Sequence, residues 1–440
     1  MKQRSTVPSG ARLPNPQPDA FEAFGSLDDP RALKRPWALL GGLSPQQFMR
    51  RHWQRQPLMV RGAWPGVQPP ADRASLWRLA ATEGVESRCV EHTAKGWRLR
   101  HGPFGPRALP PRSRPGWTLL VQGLDLHLDA AHAMLRRFGF IAQARLDDLM
   151  LSYASDGGGV GPHVDSYDVF LLQVQGRRRW RVAPPGQDRL VPGLPLRILA
   201  DFEPQQEWVL EPGDMLYLPP GWGHDGVAVG GDCMTASIGF RSPTAGELAT
   251  SLLERVADEL GEALQDVQGS PEGTRGQGPR RGAPRSWQCR HADPGLGATP
   301  SGGHIPPGLE RFALEQVQRL MQDTDRWQRA LGCWVTEPKA NVWFDGSGDD
   351  DGAAPGWFGL NPAVGVALDR RSRVAYDDRH FYLNGEAFRV GGRDAELLHR
   401  LADRRALGAA DCRRLSADAR EALEDWVREG WLRVLAFGAS

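Results

Sequence analysis

A chain of 440 residues with a formal net charge of +1 has room for two or three domains, and it carries no global field that would steer it to nucleic acid or an anionic membrane. Apolar residues make up 40% of it and charged residues 24%, the balance of a globular protein, and no apolar run is long enough to span a bilayer. Five cysteines (Cys89, Cys233, Cys289, Cys333, Cys412) are scattered with no C-x-x-C pair, which offers neither a disulfide framework nor a structural zinc site and suits a reducing cytoplasm. Lysine is nearly absent and arginine supplies the positive charge, a composition bias rather than a phosphate-binding device.

The opening stretch MKQRSTVPSGARLPNPQPDA is polar and proline-rich, lacks the apolar core of a signal peptide, and reads as part of a flexible tail over residues 1–36. Ser44 then stands as the N-cap of a helix carrying Phe48 and Trp53, and PLMVRGA reads as a strand. AAHAMLRRFGF suggests a second helix. Short strand-like runs follow: DLMLSYAS, VFLLQVQG, RRWRVAPP, EWVLEPGDMLYLPP, GVAVGG and CMTASIGF. Turn residues punctuate them at the short intervals of an antiparallel barrel or sandwich.

After Arg241 the pattern becomes helical in ELATSLLERVADELGEALQDV and again in LERFALEQVQRLMQDTDRWQRALGCWV. Between them, residues 268–307 are rich in Gly, Pro and Arg and read as a disordered insertion. A second break, FDGSGDDDGAAPGW, precedes a region ordered strand, strand, helix, short helix, helix, strand, which resembles a winged helix. Arginine and acidic residues nearly balance there with no lysine, so no direct nucleic-acid binding is expected.

The chemistry centres on GVGPHVDSYDVF. His163 and Asp165 flank one valine, so in an extended strand both side chains fall on the same face. A lone His-x-Asp is a weak pattern, but His224, in EPGDMLYLPPGWGHDGVAV, could come from another strand of the same barrel as a third ligand. Two imidazoles and one carboxylate on one face of a metal leave the other face open, an arrangement suited to non-haem Fe(II) and oxygen, with zinc the competing metal. In GRRRWRV, alternation puts Arg178, Trp180 and Val182 on one face and Arg177, Arg179 and Arg181 on a wholly cationic, solvated one. An inward Arg178 needs a carboxylate. That partner is either a protein carboxylate on a neighbouring strand or a dicarboxylate ligand such as 2-oxoglutarate.

The segments GGGVGPHVDSYDVFLLQVQGRRRWRV and LEPGDMLYLPPGWGHDG resemble those of the ribosomal oxygenases, cupin-fold, Jumonji-C-type hydroxylases dependent on Fe(II) and 2-oxoglutarate. The resemblance implies an α+β architecture: a double-stranded β-helix (cupin/JmjC jelly roll) over 37–242, a helical dimerisation region over 243–340, a linker over 341–357 and a winged helix over 358–440. It implies Fe(II) on His163, Asp165 and His224, 2-oxoglutarate on Arg178 and Ser152, and O2 as second cosubstrate. Asp156 would hold a substrate guanidinium at the barrel mouth, or cap the glycine turn. Thr235 and Ser237 alternate along CMTASIGF, so that one could face the cosubstrate or both could be satisfied core hydroxyls. The implied partners are a second copy of the chain and, as substrate, large-subunit ribosomal protein sixteen. A ribosomal-protein histidine is the alternative target, and a non-oxidative metal-binding cupin is a rival class.

Overall fold

The computed structural model describes residues 31–265 and 287–435, apart from residues 106, 288, 296, 299, 300, 302 and 347–363. The tail before residue 31, part of the expected 268–307 insertion and most of the expected linker lie outside the described residues. The chain divides into two compact units between Ser242 and Pro243.

The first unit opens with α1 (Pro45–Arg51), started by a capping box in which the Ser44 hydroxyl accepts from the Gln47 amide and the Gln47 side chain accepts from the Ser44 amide. Trp53 lies just past its end. The elements that follow are β1 (Leu58–Val60), α2 (Arg73–Ala81), β2 (Ser87–Thr93), β3 (Gly96–His101), β4 (Trp117–Val121), α3 (Leu124–His127) and α4 (Asp129–Arg136). The barrel strands are β5 (Leu146–Ala154), β6 (His163–Val164), β7 (Asp168–Ala183), β8 (Gln206–Leu210), β9 (Met215–Leu218) and β10 (Gly223–Phe240).

All ten strands join one antiparallel sheet, with β1-β9-β7-β10-β5-β4-β2-β3 as the main path, β8 added on β7 and β6 on β10. Two strands are long enough to serve both walls. The first part of β7 pairs with β9 and its second part with β8; the first part of β10 pairs with β6 and its last part with β5. Both bend at the same corner, at Gly176 (φ +66°) on β7 and at the register shift between Val229 and Met234 on β10. A Cβ at Gly176 would sit 3.0 Å from the Asp232 carbonyl oxygen, so the corner closes only on glycine. The folded sheet is the jelly roll.

Alternation sorts the residues by face. Leu149, Leu151 and Tyr153 of β5, Phe170 and Leu172 of β7 and Ala236 and Ile238 of β10 belong to a large outer core with Phe48, Trp53, Leu124 and Leu135. Leu171, Trp180, Val182, Leu210 and Leu216 form a smaller cluster drawn from both walls, and this is the interior of the roll.

Several expectations need revision here. VFLLQVQG and RRWRVAPP are one strand, as are GVAVGG and CMTASIGF, because the glycines between them bend the chain without ending the ladder. The strands β2, β3 and β4 and the helix α2 were absent from the expected order altogether. The Arg177–Arg181 face is not simply solvated: Arg181 pairs with the buried Asp225 at 2.6 Å and lies over the Phe202 ring.

The second unit begins with α5 (Ala245–Gln265), α6 (Pro307–Gln322) and α7 (Thr324–Thr336). The run read as one helical stretch breaks at Asp323, whose carboxylate caps α7 through the Arg326 amide at 3.1 Å. The winged helix follows: β11 (Gly365–Leu368), a three-stranded meander of β12 (Val374–Tyr376), β13 (His380–Leu383) and β14 (Glu386–Arg389), then α8 (Gly392–Arg404), β15 (Ala406–Leu407), α9 (Ala409–Cys412), α10 (Ala417–Arg428) and β16 (Leu432–Leu435). The two strands expected at the start of this region are each a pair of strands. Its core stacks Phe381 on Trp426 with Leu397, Leu401 and Leu423 around them.

Candidate metal centre

The loop from Ser155 to Gly161 carries the chain from β5 to β6, and its glycines are needed for close passage. A Cβ on Gly158 would lie 2.3 Å from the Trp117 carbonyl oxygen, and one on Gly159 would lie 2.6 Å from that of Gly226. The Ala228 amide donates to the Gly158 carbonyl and the Gly157 amide to that of Ala228, binding the loop to β10. This sets β6 against β10 with His163 opposite His224.

His163, Asp165 and His224 each present a ligand atom within 4.8 Å of the others, the only such group among the described residues. Nε2 of His163 lies 3.9 Å from Asp165 Oδ1, and Nε2 of His224 lies 3.5 Å from Asp165 Oδ2. Each imidazole places Nδ1 against the carbonyl two residues upstream: His163 on Gly161 at 2.8 Å, His224 on Trp222 at 3.0 Å. A carbonyl can only accept, so Nδ1 holds the proton and both Nε2 lone pairs face the carboxylate, the tautomer a metal requires. His224 is almost fully buried, and burial, reinforced by the neighbouring His163, pushes its pKa down to about 4. The imidazole is therefore neutral and ready to ligate. Two nitrogens and one or two carboxylate oxygens suit a borderline divalent ion such as iron, cobalt or zinc.

Arg178 points into the roll, as alternation required, and is 3% exposed. Its Nη2 donates to the Gly226 carbonyl at 3.0 Å, while Nε and Nη1 are buried with no hydrogen-bond partner among the described residues. No protein carboxylate pairs with it there, so the neighbouring-strand salt bridge is absent from the described residues. A buried cation with two unfilled donors fits an anionic ligand. Ser152 is also interior and 4% exposed, but its hydroxyl donates to the Thr235 carbonyl at 3.3 Å. Thr235 is a satisfied core hydroxyl, bonded to Gln173 Oε1 at 2.9 Å. Ser237 pairs across the sheet with Leu171 and so shares the interior face. Asp156 stands exposed in the glycine loop, where Oδ1 accepts from the Gly230 amide at 2.8 Å. Gly226, which leaves room for Arg178, was not singled out from the sequence, and Trp180, placed on the Arg178 face by alternation, was given no role there.

A JmjC domain model matches residues 133–248, across this cluster, and a ROXA-like winged helix model matches 319–433. The chain is 39% identical over 216 residues to the Escherichia coli ribosomal protein uL16 3-hydroxylase, covering 49% of this chain and 57% of that one. It is 36% identical over 213 residues to a probable ribosomal oxygenase of Haemophilus influenzae, covering 47% and 52%. The chain carries a JmjC domain and a ROXA-like winged helix. Alignments to these curated relatives span little more than half of their length. The solved structures of the E. coli ribosomal oxygenase YcfD extend the likeness over both units: one covers 89% of this chain and 98% of its own, at 27% identity and a TM-score of 0.72. Another, of YcfD in complex with cobalt and 2-oxoglutarate, covers 90% and 99% at 26% identity and a TM-score of 0.70. A more distant relative, from Aedes aegypti, is named as a bifunctional lysine-specific demethylase and histidyl-hydroxylase and is 26% identical over 208 residues.

Proposed function

We propose that the protein is a ribosomal oxygenase that uses Fe(II), 2-oxoglutarate and O2 to 3-hydroxylate an arginine of ribosomal protein uL16. The observation that carries the reading is Arg178: a buried guanidinium with two unfilled donors on the same interior face as a His–Asp–His cluster. Iron with O2 supplies the oxidising chemistry when bound, and 2-oxoglutarate is the reductant. His163, Asp165 and His224 hold the metal on one side and leave the opposite side free for small ligands. Arg178 takes the far carboxylate of 2-oxoglutarate, which orients its keto-acid end toward the metal, with Ser152 and Ser237 as further contacts. Leu171, Leu216 and Trp180 line the interior and keep water from the reacting atoms. Asp156 at the loop receives the substrate guanidinium. The arginine target rather than a histidine is favoured by this carboxylate and by the stronger likeness to the uL16 enzyme.

The test is anaerobic calorimetry of 2-oxoglutarate with Mn(II), followed by mass spectrometry of an arginine-containing uL16 peptide after aerobic turnover. The wild-type protein binds 2-oxoglutarate and adds one oxygen, about 16 Da, to the arginine. Arg178→Ala weakens 2-oxoglutarate by about a hundredfold, the loss expected for a buried charge-assisted pair. No binding would favour a non-oxidative cupin, and oxygen on a histidine would move the substrate assignment.

The division of labour goes with this reading: residues 37–242 catalyse, 243–340 pair two copies, and 358–440 form the winged helix. Leu314, Val317 and Met321 lie at helical spacing on α6 and are each more than half exposed, an apolar stripe suited to a symmetric homodimer. Light scattering at micromolar concentration reads this directly; a one-copy mass removes it.

A further inference from the structure

Trp180 sits two residues beyond Arg178 on the same interior face and is 5% exposed. Its ring lies under the Arg178 guanidinium, 5.0 Å from ring centroid to carbon, and 5.9 Å from the His224 ring. The indole therefore spans the interval between the cationic anchor and the His–Asp–His cluster. Its Nε1–H is buried with no hydrogen-bond partner among the described residues. Tryptophans buried this deeply ordinarily find an acceptor, because a buried donor left unfilled has lost its hydrogen bonds to water with nothing in return. The neighbourhood is shaped for both side chains. Gly226 faces them across the ladder, and a Cβ there would come within 2.5 Å of the Trp180 ring and 2.7 Å of Arg178 Nε. Arg178 thus has two unfilled donors, Nε and Nη1, and the indole stacked on its guanidinium has a third, Nε1, all three buried.

We propose that Trp180 is a second donor to the distal carboxylate of 2-oxoglutarate, its Nε1–H completing the set begun by Arg178 while its ring face fixes the guanidinium plane. This rests on the oxygenase reading above. A carboxylate offers about four acceptor sites, so it can take two N–H groups from the guanidinium and one from the indole. Ring and donor have separable roles. The stack holds the anchor before the ligand arrives; the N–H engages only when the carboxylate is present.

Trp180→Phe keeps an aromatic face and deletes the donor. Binding is followed by calorimetry in Mn(II) without oxygen, using two probes: 2-oxoglutarate, and oxalate, which can chelate the metal but has no distal carboxylate. The variant is expected to bind 2-oxoglutarate roughly tenfold more weakly or worse, the loss for a hydrogen bond to a charged group. Oxalate and Mn(II) affinities stay within about twofold on the same scale, and the KM for 2-oxoglutarate rises. In the wild-type protein, the indole N–H resonance missing from the variant shifts on adding 2-oxoglutarate but not oxalate, a readout that does not depend on how the Phe ring packs. Unchanged 2-oxoglutarate affinity in Trp180→Phe, or equal weakening of both probes, overturns the proposal while leaving the oxygenase reading intact. A wild-type protein that binds oxalate but not 2-oxoglutarate overturns both.

Discussion

The two faces of β7 are finished in opposite ways. On the outer face Asp168 is fully buried, yet it accepts from the Tyr217 hydroxyl at 2.6 Å, the Gln54 amide at 3.0 Å and the Ser242 hydroxyl at 3.1 Å, and it pairs with Arg145. On the inner face Arg178 is nearly as buried and has one acceptor for its guanidinium. A buried charge whose donors are all supplied by the fold belongs to stability. One whose partners are missing belongs to a ligand, and the fold tolerates it only because the outer core carries the cost.

The sharpest way to break this contrast is to delete one acid or imidazole from each side. His163→Ala removes a third of the metal donors, and metal-dependent 2-oxoglutarate turnover should fall by at least about a hundredfold, more than the loss of a residue that merely orients a ligand. Its melting temperature without metal should barely move. Asp168→Ala should do the reverse: it strands the Tyr217, Gln54 and Arg145 donors and costs about 3 kcal/mol of stability, with Mn(II) affinity of the folded protein unchanged. Thermal melts beside Mn(II) calorimetry read both. A variant that lost metal and stability together would mean that the two faces are not separate in function.

A smaller effect separates them by pH. In the fold His224 takes up no proton until about pH 4, whereas the unfolded chain protonates it near 6.5. Between those values the unfolded state holds more protons, so the metal-stripped protein loses stability as pH falls from 6.5 to 4, by about 3 kcal/mol from this residue. Above 6.5 both states are neutral at this position and its contribution is flat. His224→Gln should remove this component, so that the denaturation midpoints of variant and parent draw together at low pH. A parallel pair of curves would show that the histidine titrates in the fold as it does in the unfolded chain.

Much of the interior was legible because a strand reports its own faces. Alternation in GRRRWRV put Arg178 inside from the sequence, and the i, i+2 spacing of His163 and Asp165 put both on one face. What alternation could not reveal was pairing. The Asp225 that partners Arg181 lies on β10, more than forty residues away, so the cationic face looked wholly solvated. Of the missed strands β2, β3 and β4, β3 is a largely half-exposed edge strand of mixed polarity, WRLRH, which gives alternation little to report. The long strands were cut in two at Gly176 and Gly230 because a glycine that bends a sheet and a glycine that ends a strand look the same in one dimension. The backbone carbonyls of Gly161 and Trp222, which fix the histidine tautomers, carry no sequence signal at all.

Asp156, exposed in the glycine loop, offers the finest test. Its Oδ1 already accepts from the Gly230 amide, which is what a carboxylate does when it holds a turn. Holding a guanidinium needs the negative charge as well. Asn keeps an acceptor oxygen for Gly230 and deletes the charge; Ala deletes both. If Asp156 receives the substrate arginine, Asp156→Asn should raise the KM for the uL16 peptide by about tenfold, the scale of one charge-assisted pair, with melting temperature and 2-oxoglutarate affinity unmoved. Asp156→Ala should add a loss of stability of about 1 kcal/mol from the freed Gly230 amide. If the residue only holds the turn, the Asn variant will match the parent in every assay and the Ala variant will differ in stability alone. The peptide KM of Asp156→Asn thus decides whether this acid belongs with Asp168, whose partners are all supplied by the fold, or with Arg178, whose donors the fold leaves unfilled.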